Sequence, residues 1–271
     1  MHPNRTLFGN ALFTKPGIYE ADMHDVAVRD LPELLCFQSL VVSCGELVSH
    51  LAQHWSDEDL DVNPEESSNI VSIKLQWNNG KGGCFPAHYD NPGAPSKRAL
   101  TCILYLNDNW EPHHGGELTL IPFLGEATKL APLFNRLVIF RSNTMLHRVE
   151  TCLHSRFCVT VWIDGTDTNS AAKSQLKLST TIYDSAEIFA ATIGMLQSTP
   201  LQRSVSRAVY KEEYESSLLE CMHDAASAQG LSLMLAAHRH HIKSVKENTA
   251  LLKFVNALRE RIGRGALTEG E

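Results

Sequence analysis

The sequence predicts a mainly β fold, a sandwich or jelly roll, accompanied by helices. Two observations carry that reading. Between residues 70 and 164 short β-rich runs alternate with turn residues, and no helical pattern separates them: "IVSIKLQW", "ALTCILYL", "GELTLIPF", "RLVIFR" and "RFCVTVWI". From residue 169 onward the pattern changes to stretches rich in Ala, Leu, Glu, Lys and Gln at helical spacing. With 271 residues, 43% apolar and 20% charged, the chain has ample material for a buried core.

Element by element, residues 29–55 place Leu40, Cys44, Leu47 and Leu51 at helical spacing after a Pro-containing start, which predicts an N-terminal helix. The acidic, turn-rich run 56–69 reads as a surface loop. The β runs follow, so residues 1–168 form one expected unit with its core at about 70–164, and residues 169–271 form a helical C-terminal segment. Within that segment, "YKEEYESSLLECMHDAASAQG" is expected to stop at Gly230. "IKSVKENTALLKFVNALRERIGRG" is expected to stop at Gly263 or Gly265, with Arg259, Arg261 and Arg264 at the end that the helix dipole favours.

A formal charge of −7 argues against nucleic acid as a partner, because phosphate-backbone binding needs a basic face. The N-terminal "MHPNRTLFGNALFTKPG" lacks a basic region followed by an apolar run. Nor does any segment approach the ~18 uninterrupted apolar residues of a membrane span. The expected location is therefore the cytoplasm, with the nucleus as the other compartment open to it. Seven cysteines without a CxxC pair read as reduced core thiols.

The chemistry begins at "CFPAHYDNPG", residues 84–93. Strand side chains alternate faces, so His88 and Asp90 point one way and Tyr89 the other. Two ligands alone hold a divalent ion weakly, and "MLHRVE" offers His147 as a third. Two histidines and one carboxylate on one face make the donor set of a non-haem Fe(II) site with open positions. Nine residues beyond His147 comes Arg156, and a hairpin of that length would return its guanidinium beside the metal. There it offers a fork for a carboxylate. Tyr105, sharing a strand face with Thr101 and Ile103, could add a hydrogen bond to the same carboxylate. Alternation also puts Arg156, Cys158, Thr160 and Trp162 on one face of their strand and the apolar Phe157, Val159, Val161 and Ile163 on the other. A mixed face of this kind suits a pocket better than a plain core.

Taken in order, "HYDNP", "RALTCILYLNDNW", "GGELTLIPF", "RLVIF", "LHRVE" and "SRFCVTVW" resemble the 2-oxoglutarate- and Fe(II)-dependent dioxygenases over residues 73–164. The likeness is to their prolyl 4-hydroxylase branch, which includes the hypoxia-inducible-factor prolyl hydroxylases. The resemblance implies a double-stranded β-helix holding Fe(II) through His88, Asp90 and His147. It also implies that Arg156 and Tyr105 bind 2-oxoglutarate, that Ile103, Leu118 and Thr160 line its pocket, and that Arg98 and Trp162 lie toward the target residue. The implied reaction hydroxylates a prolyl residue of a protein or peptide while 2-oxoglutarate and O2 become succinate and CO2, with ascorbate as a supporting cofactor. One departure stands out: relatives carry a tyrosine in the strand before the His-x-Asp, where this chain reads "KLQWNNGKGG" and offers Gln76 or Trp77.

Other features read more plainly. His113 and His114 occupy an exposed turn, "HRHH" at 238–241 has spacings that do not converge on one ion along a helix, and "GKGGC" at 80–84 is a turn beside the site rather than a phosphate loop. The basic last helix is expected to pack on its own barrel. Two alternatives stand beside prolyl hydroxylation: a dioxygenase acting on another residue or a small molecule, and an inactive β-barrel binding module that uses its helices as a platform. The second has no physical need for four separated polar groups in one pocket.

Overall fold

The computed structural model describes residues 1–8, 11–34, 50, 71–91, 93, 95–165, 185–197, 201–222 and 228–268. Among these, two antiparallel sheets face each other. The larger runs in the order β1 (His2–Phe8), β2 (Ala11–Asp22), β3 (Val71–Asn79), β10 (Ser155–Asp164), β5 (Arg98–Tyr105) and β8 (Leu137–Arg141). The smaller runs β4 (Gly83–His88), β9 (Leu146–Cys152), β6 (Leu118–Ile121) and β7 (Thr128–Leu130). This is the jelly-roll core that the β-rich runs predict. The expected helix around Leu40 to Leu51 and the acidic loop at 56–69 lie outside the described residues.

Three apolar layers follow from the strand alternation. Between the sheets, Ile18, Phe85, Ile103, Tyr105, Leu118, Val138, Phe140, Val149 and Cys158 form the barrel interior. On the outer face of the larger sheet, Val159, Val161 and Ile163 of β10 meet Met23, Ile73, Leu100 and Cys102. β10 is thus buried on both faces, which is why "RFCVTVWI" reads as an almost continuous apolar run. On the outer face of the smaller sheet, Ala87, Ile121, Phe123 and Leu146 are covered by C-terminal helices.

Those helices are α2 (Ala186–Gln197), α3 (Leu201–Val209), α4 (Lys211–Cys221), α5 (Ala228–Glu247) and α6 (Thr249–Arg261), preceded near the N-terminus by the short α1 (Val26–Arg29). Phe254, Val255 and Leu258 of α6 are buried in the layer that includes Ile121 and Leu146, so the last helix packs back on its own fold. Two helix boundaries differ from expectation. Gly230 does not end a helix but lies buried near the start of α5, because the first helix already stops at Cys221. The final stretch is broken at Asn248, whose side chain accepts a hydrogen bond from the Leu251 N–H and starts α6. Gly263, at φ +70°, does terminate α6, its left-handed conformation being the one glycine adopts without strain.

Three further corrections concern the strands and cysteines. β9 and β10 are not a hairpin within one sheet: β9 pairs with β4 and β6, whereas β10 pairs with β3 and β5. Arg156 therefore approaches His147 across the barrel interior rather than alongside it. The N-terminal β1–β2 pair extends the larger sheet through β3, a pairing the sequence pattern conceals because Pro16 and Gly17 interrupt it. Cys84 and Cys221 form a disulfide that ties β4 to α4, while Cys152 and Cys158 are free and buried and Cys102 is buried in the outer layer of the larger sheet. Spacing 137 residues apart gave no hint of that pairing.

Candidate functional site

His88 ends β4, Asp90 follows it, and His147 is the second residue of β9; the β4–β9 register sets His88 opposite His147. Their donor atoms lie within 4.8 Å of one another, and they are the one such grouping of three among the described residues. The Nε2 atoms of His88 and His147 stand 3.4 and 3.7 Å from the two Asp90 carboxylate oxygens. Each Nδ1 faces a backbone carbonyl, Pro86 at 2.7 Å and Met145 at 3.1 Å. With Nδ1–H donating to those carbonyls, both Nε2 lone pairs turn to the space in front of Asp90, the tautomer a metal requires.

Electrostatics favour the same protonation states. Burial, followed by the neighbouring His88, pushes His147 down to about 4, so its ring is neutral at pH 7. Burial alone would raise Asp90, but His147, His88 and a hydrogen bond from Thr101 hold its carboxyl well below the usual range. Thr101 Oγ1 lies 2.7 Å from Asp90 Oδ2 and 2.8 Å from Ser142 Oγ, and both hydroxyl residues are fully buried. The neutral His147 ring, the inward-turned His88 Nε2 and one fixed carboxylate fit a divalent iron ion.

A cavity of about 540 Å³ opens in front of this group. Arg98, Ile103, Leu118, Arg156, Thr160 and Trp162 all reach its wall. Arg156 is only 5% exposed. Its Nε donates to the Gly116 carbonyl at 2.9 Å, its guanidinium lies 5.0 Å from the Tyr105 ring, and among the described residues no carboxylate pairs with it. Gly116 sits at φ +77°, and a Cβ there would come within 2.9 Å of both Arg156 Cδ and Cys152 Sγ, which accounts for the glycine in "GGEL". Tyr105 is fully buried against Arg156. Among the described residues its hydroxyl makes no hydrogen bond of good geometry, though it lies beside the Arg156 guanidinium, and burial pushes its pKa up to about 12.

Arg98 stacks on the Trp162 ring at 4.3 Å and donates to the Asp90 carbonyl at 3.3 Å, on the metal side of the cavity. Of the two candidates in β3, Gln76 faces the cavity, its Oε1 accepting from Thr160 at 3.3 Å and from Cys158 at 3.4 Å. Trp77 points to the opposite face, between Tyr19 and Phe157. Lys15 and Glu20 of β2 also reach the cavity; the broken pattern of β2 concealed them. Thr101 was placed on the right face by alternation, yet only the fold brings Ser142 to it. The set-aside histidines stay apart from this site: His114 stacks on His154, His113 is exposed, and His238 is buried on α5. The "GKGGC" turn packs down, with the Gly82 N–H donating to the Cys152 carbonyl.

A jelly roll with two histidines, one carboxylate and an unpaired buried arginine in its interior defines a facial-triad oxygenase. The family model of the 2OG-Fe(II) oxygenase superfamily matches residues 74–164. A solved structure described as prolyl 4-hydroxylases from Phytophthora capsici is 40% identical, with a TM-score of 0.76, over 90% of this chain and 77% of that one. The human prolyl hydroxylase EGLN3 is 34% identical over 113 residues, 40% of this chain and 46% of the relative. Rat Egl nine homolog 1 is 36% identical over 98 residues, covering 28% of the relative. This chain belongs to the 2-oxoglutarate- and Fe(II)-dependent oxygenases, in their prolyl hydroxylase branch. The matches span less than half the length of those curated relatives. No helix among the described residues is long and apolar enough to cross a membrane.

Proposed function

We propose that the protein hydroxylates a prolyl residue of a protein or peptide, converting 2-oxoglutarate and O2 to succinate and CO2, with ascorbate as a supporting reductant. The observation that carries this reading is the pairing of one three-donor group, His88, Asp90 and His147, with one buried guanidinium that has no carboxylate partner among the described residues. An uncompensated buried cation is costly, so its place is explained by an anion that arrives with the co-substrate.

His88, Asp90 and His147 would hold the iron, with Thr101 and the two backbone carbonyls orienting them. When bound, Fe(II) with 2-oxoglutarate and O2 supplies the oxidising power for hydroxylating a C–H bond. Arg156 would take the far carboxylate of 2-oxoglutarate, with the Tyr105 hydroxyl as a second donor. Ile103, Leu118 and Thr160 would shape the space between. Arg98 and Trp162, stacked on the metal side, would face the target residue. Gln76 supplies an amide where relatives have a phenol, so contact with the target must differ in detail.

Succinate formation tests the reading: purified protein, Fe(II), 2-oxoglutarate and air, with proline-containing peptides, comparing wild type with His147→Ala. Peptide-dependent succinate, matched by a 16-dalton gain on proline and lost in the variant, is expected. Succinate with the mass gain on another residue would overturn the prolyl assignment. No 2-oxoglutarate binding at all would overturn the oxygenase reading.

A further inference from the structure

We infer that a second cleft, beside the iron pocket and walled by α3 and α5, is a subsite for an acidic side chain of the peptide substrate; this rests on the peptide-hydroxylase reading above. The cleft encloses about 390 Å³ and shares His88 and Tyr89 with the iron pocket. A peptide with its target residue at the metal therefore meets this cleft as it passes those two side chains.

The far wall is basic. It is made by Arg203 and Arg207 of α3 and His241 of α5. Arg203 Nη2 lies so near Gly93, three residues beyond Asp90, that a Cβ there would come within 3.0 Å of it. Arg207 lies 5.6 Å from the Tyr214 ring. Neither guanidinium has a carboxylate partner among the described residues, although acids are plentiful in a chain of charge −7. By contrast, Arg259 and Arg264 of the C-terminal segment pair with Glu212, and Arg148 of β9 pairs with Glu220.

What surrounds the two cations leaves their charge available. Tyr89 is engaged in donating to Ser206 Oγ at 2.9 Å, and burial raises its pKa, so it contributes no negative charge at neutral pH. Burial likewise raises Tyr214. His241 is held by the Ser204 carbonyl at 2.9 Å from Nε2. Partial burial lowers Arg203 relative to a solvated guanidinium, the signature of a desolvated charge. Two guanidinium forks in a small, partly dry cleft suit a carboxylate, which can take paired hydrogen bonds from them. The overall negative charge disfavours an extended polyanion, which leaves the substrate peptide as the source.

The test uses labelled peptides with one central proline in a Gly/Ala context and flanking positions that carry Glu, Gln, Lys or phosphoserine. Binding to the enzyme loaded with Fe(II) and 2-oxoglutarate is read by fluorescence anisotropy without oxygen. Wild type is expected to bind the Glu series at least tenfold tighter than the Gln series, and the Arg203→Gln/Arg207→Gln double variant is expected to lose that preference. Arg207→Glu should shift preference toward the Lys series, a reversal that simple misfolding cannot produce, while the exposed Lys243→Gln changes nothing. Equal binding of the Glu and Gln series, including none at millimolar peptide, or a preference that survives the double variant, overturns the subsite. A phosphoserine series bound tenfold tighter than Glu and lost in the same variants overturns the carboxylate assignment. Binding of 2-oxoglutarate to the Mn(II)-loaded protein is followed in parallel by calorimetry: its presence without an acidic preference sinks the subsite alone, and its absence alongside an arginine-dependent preference sinks the oxygenase reading alone.

Discussion

Replacing Arg156 by alanine isolates the feature on which the functional reading leans. In the ligand-free fold the guanidinium gives one hydrogen bond, to the Gly116 carbonyl, and a long contact at 3.6 Å to Cys158 Sγ, but no ion pair among the described residues. Its removal leaves that carbonyl without a donor and at the same time deletes an uncompensated buried charge. The two effects oppose each other, so the melting temperature without ligand should change little. The ligand-bound state loses a charge-assisted carboxylate pair, about 2–4 kcal/mol, which is roughly a 30- to 900-fold weaker affinity for 2-oxoglutarate. Calorimetric titration of 2-oxoglutarate into the Mn(II)-loaded protein measures this, and the thermal shift caused by 2-oxoglutarate should vanish with it. Arg156→Lys should recover part of the loss, since the charge returns without the fork. If Arg156→Ala binds 2-oxoglutarate within twofold of wild type, or if it loses its stability before any ligand is added, then Arg156 is structural and the reasoning fails.

Thr101→Val removes the hydroxyl that fixes Asp90 while keeping its volume, and should weaken metal affinity about 10- to 100-fold in chelator competition; unchanged affinity would mean that Asp90 is held by other means. Lys15, whose pKa burial lowers to about 8, should make stability rise with pH. Between about 8 and its ordinary value the unfolded chain binds a proton that the folded one has shed, so unfolding free energy increases across that window and is lowest below it. Lys15→Met should raise stability at pH 7 and flatten the slope, as denaturant midpoints at several pH values will show; an unchanged slope argues against the burial. Cys221→Ser opens a loop of 137 residues and should cost about 2–4 kcal/mol under non-reducing conditions, read from the denaturant midpoint. Alkylation of both Cys84 and Cys221 in the unreduced native protein would show the bridge to be unformed.

The parts of the molecule legible in the sequence were those with local periodicity. The run "RFCVTVWI" announced β10 and, through alternation, which of its side chains face the cavity, because a strand's period of two ties sequence position to face. The motif "HYDNP" with "LHRVE" announced three donors that converge. What stayed hidden depended on distant or broken patterns. Ser142 reaches Thr101 only because β8 and β5 pair, with Thr101 opposite Phe140, a register no local signal encodes. The β2 strand, which brings Lys15 and Glu20 to the cavity, is interrupted by Pro16 and Gly17. The route of Arg156 to the site is hidden for a similar reason: a turn of that length can join strands of one sheet or carry the chain from one sheet to the other, and only the packing decides.

The position of β4 links the helices to the three candidate metal donors. β4 is an edge strand, and an edge leaves N–H and C=O groups unpaired and a backbone free to bend. Yet its last residue, His88, must hold its ring within a fraction of an ångström of Asp90 and His147. The edge is held from outside: the Ala87 N–H donates to Ser217 Oγ of α4 at 3.0 Å, the Cys84–Cys221 bridge fastens the strand's other end to the same helix, and Ala87 is packed in the helical layer's core. Next along the chain, the Tyr89 hydroxyl donates to Ser206 of α3. β9 is gripped similarly, since Leu146 enters the helical layer while His147 turns inward. Alternation makes this possible, because successive residues of one strand serve opposite faces. The helical layer thus bears on both strands that carry the histidines, and loosening it should disturb the three donors before it unfolds the barrel.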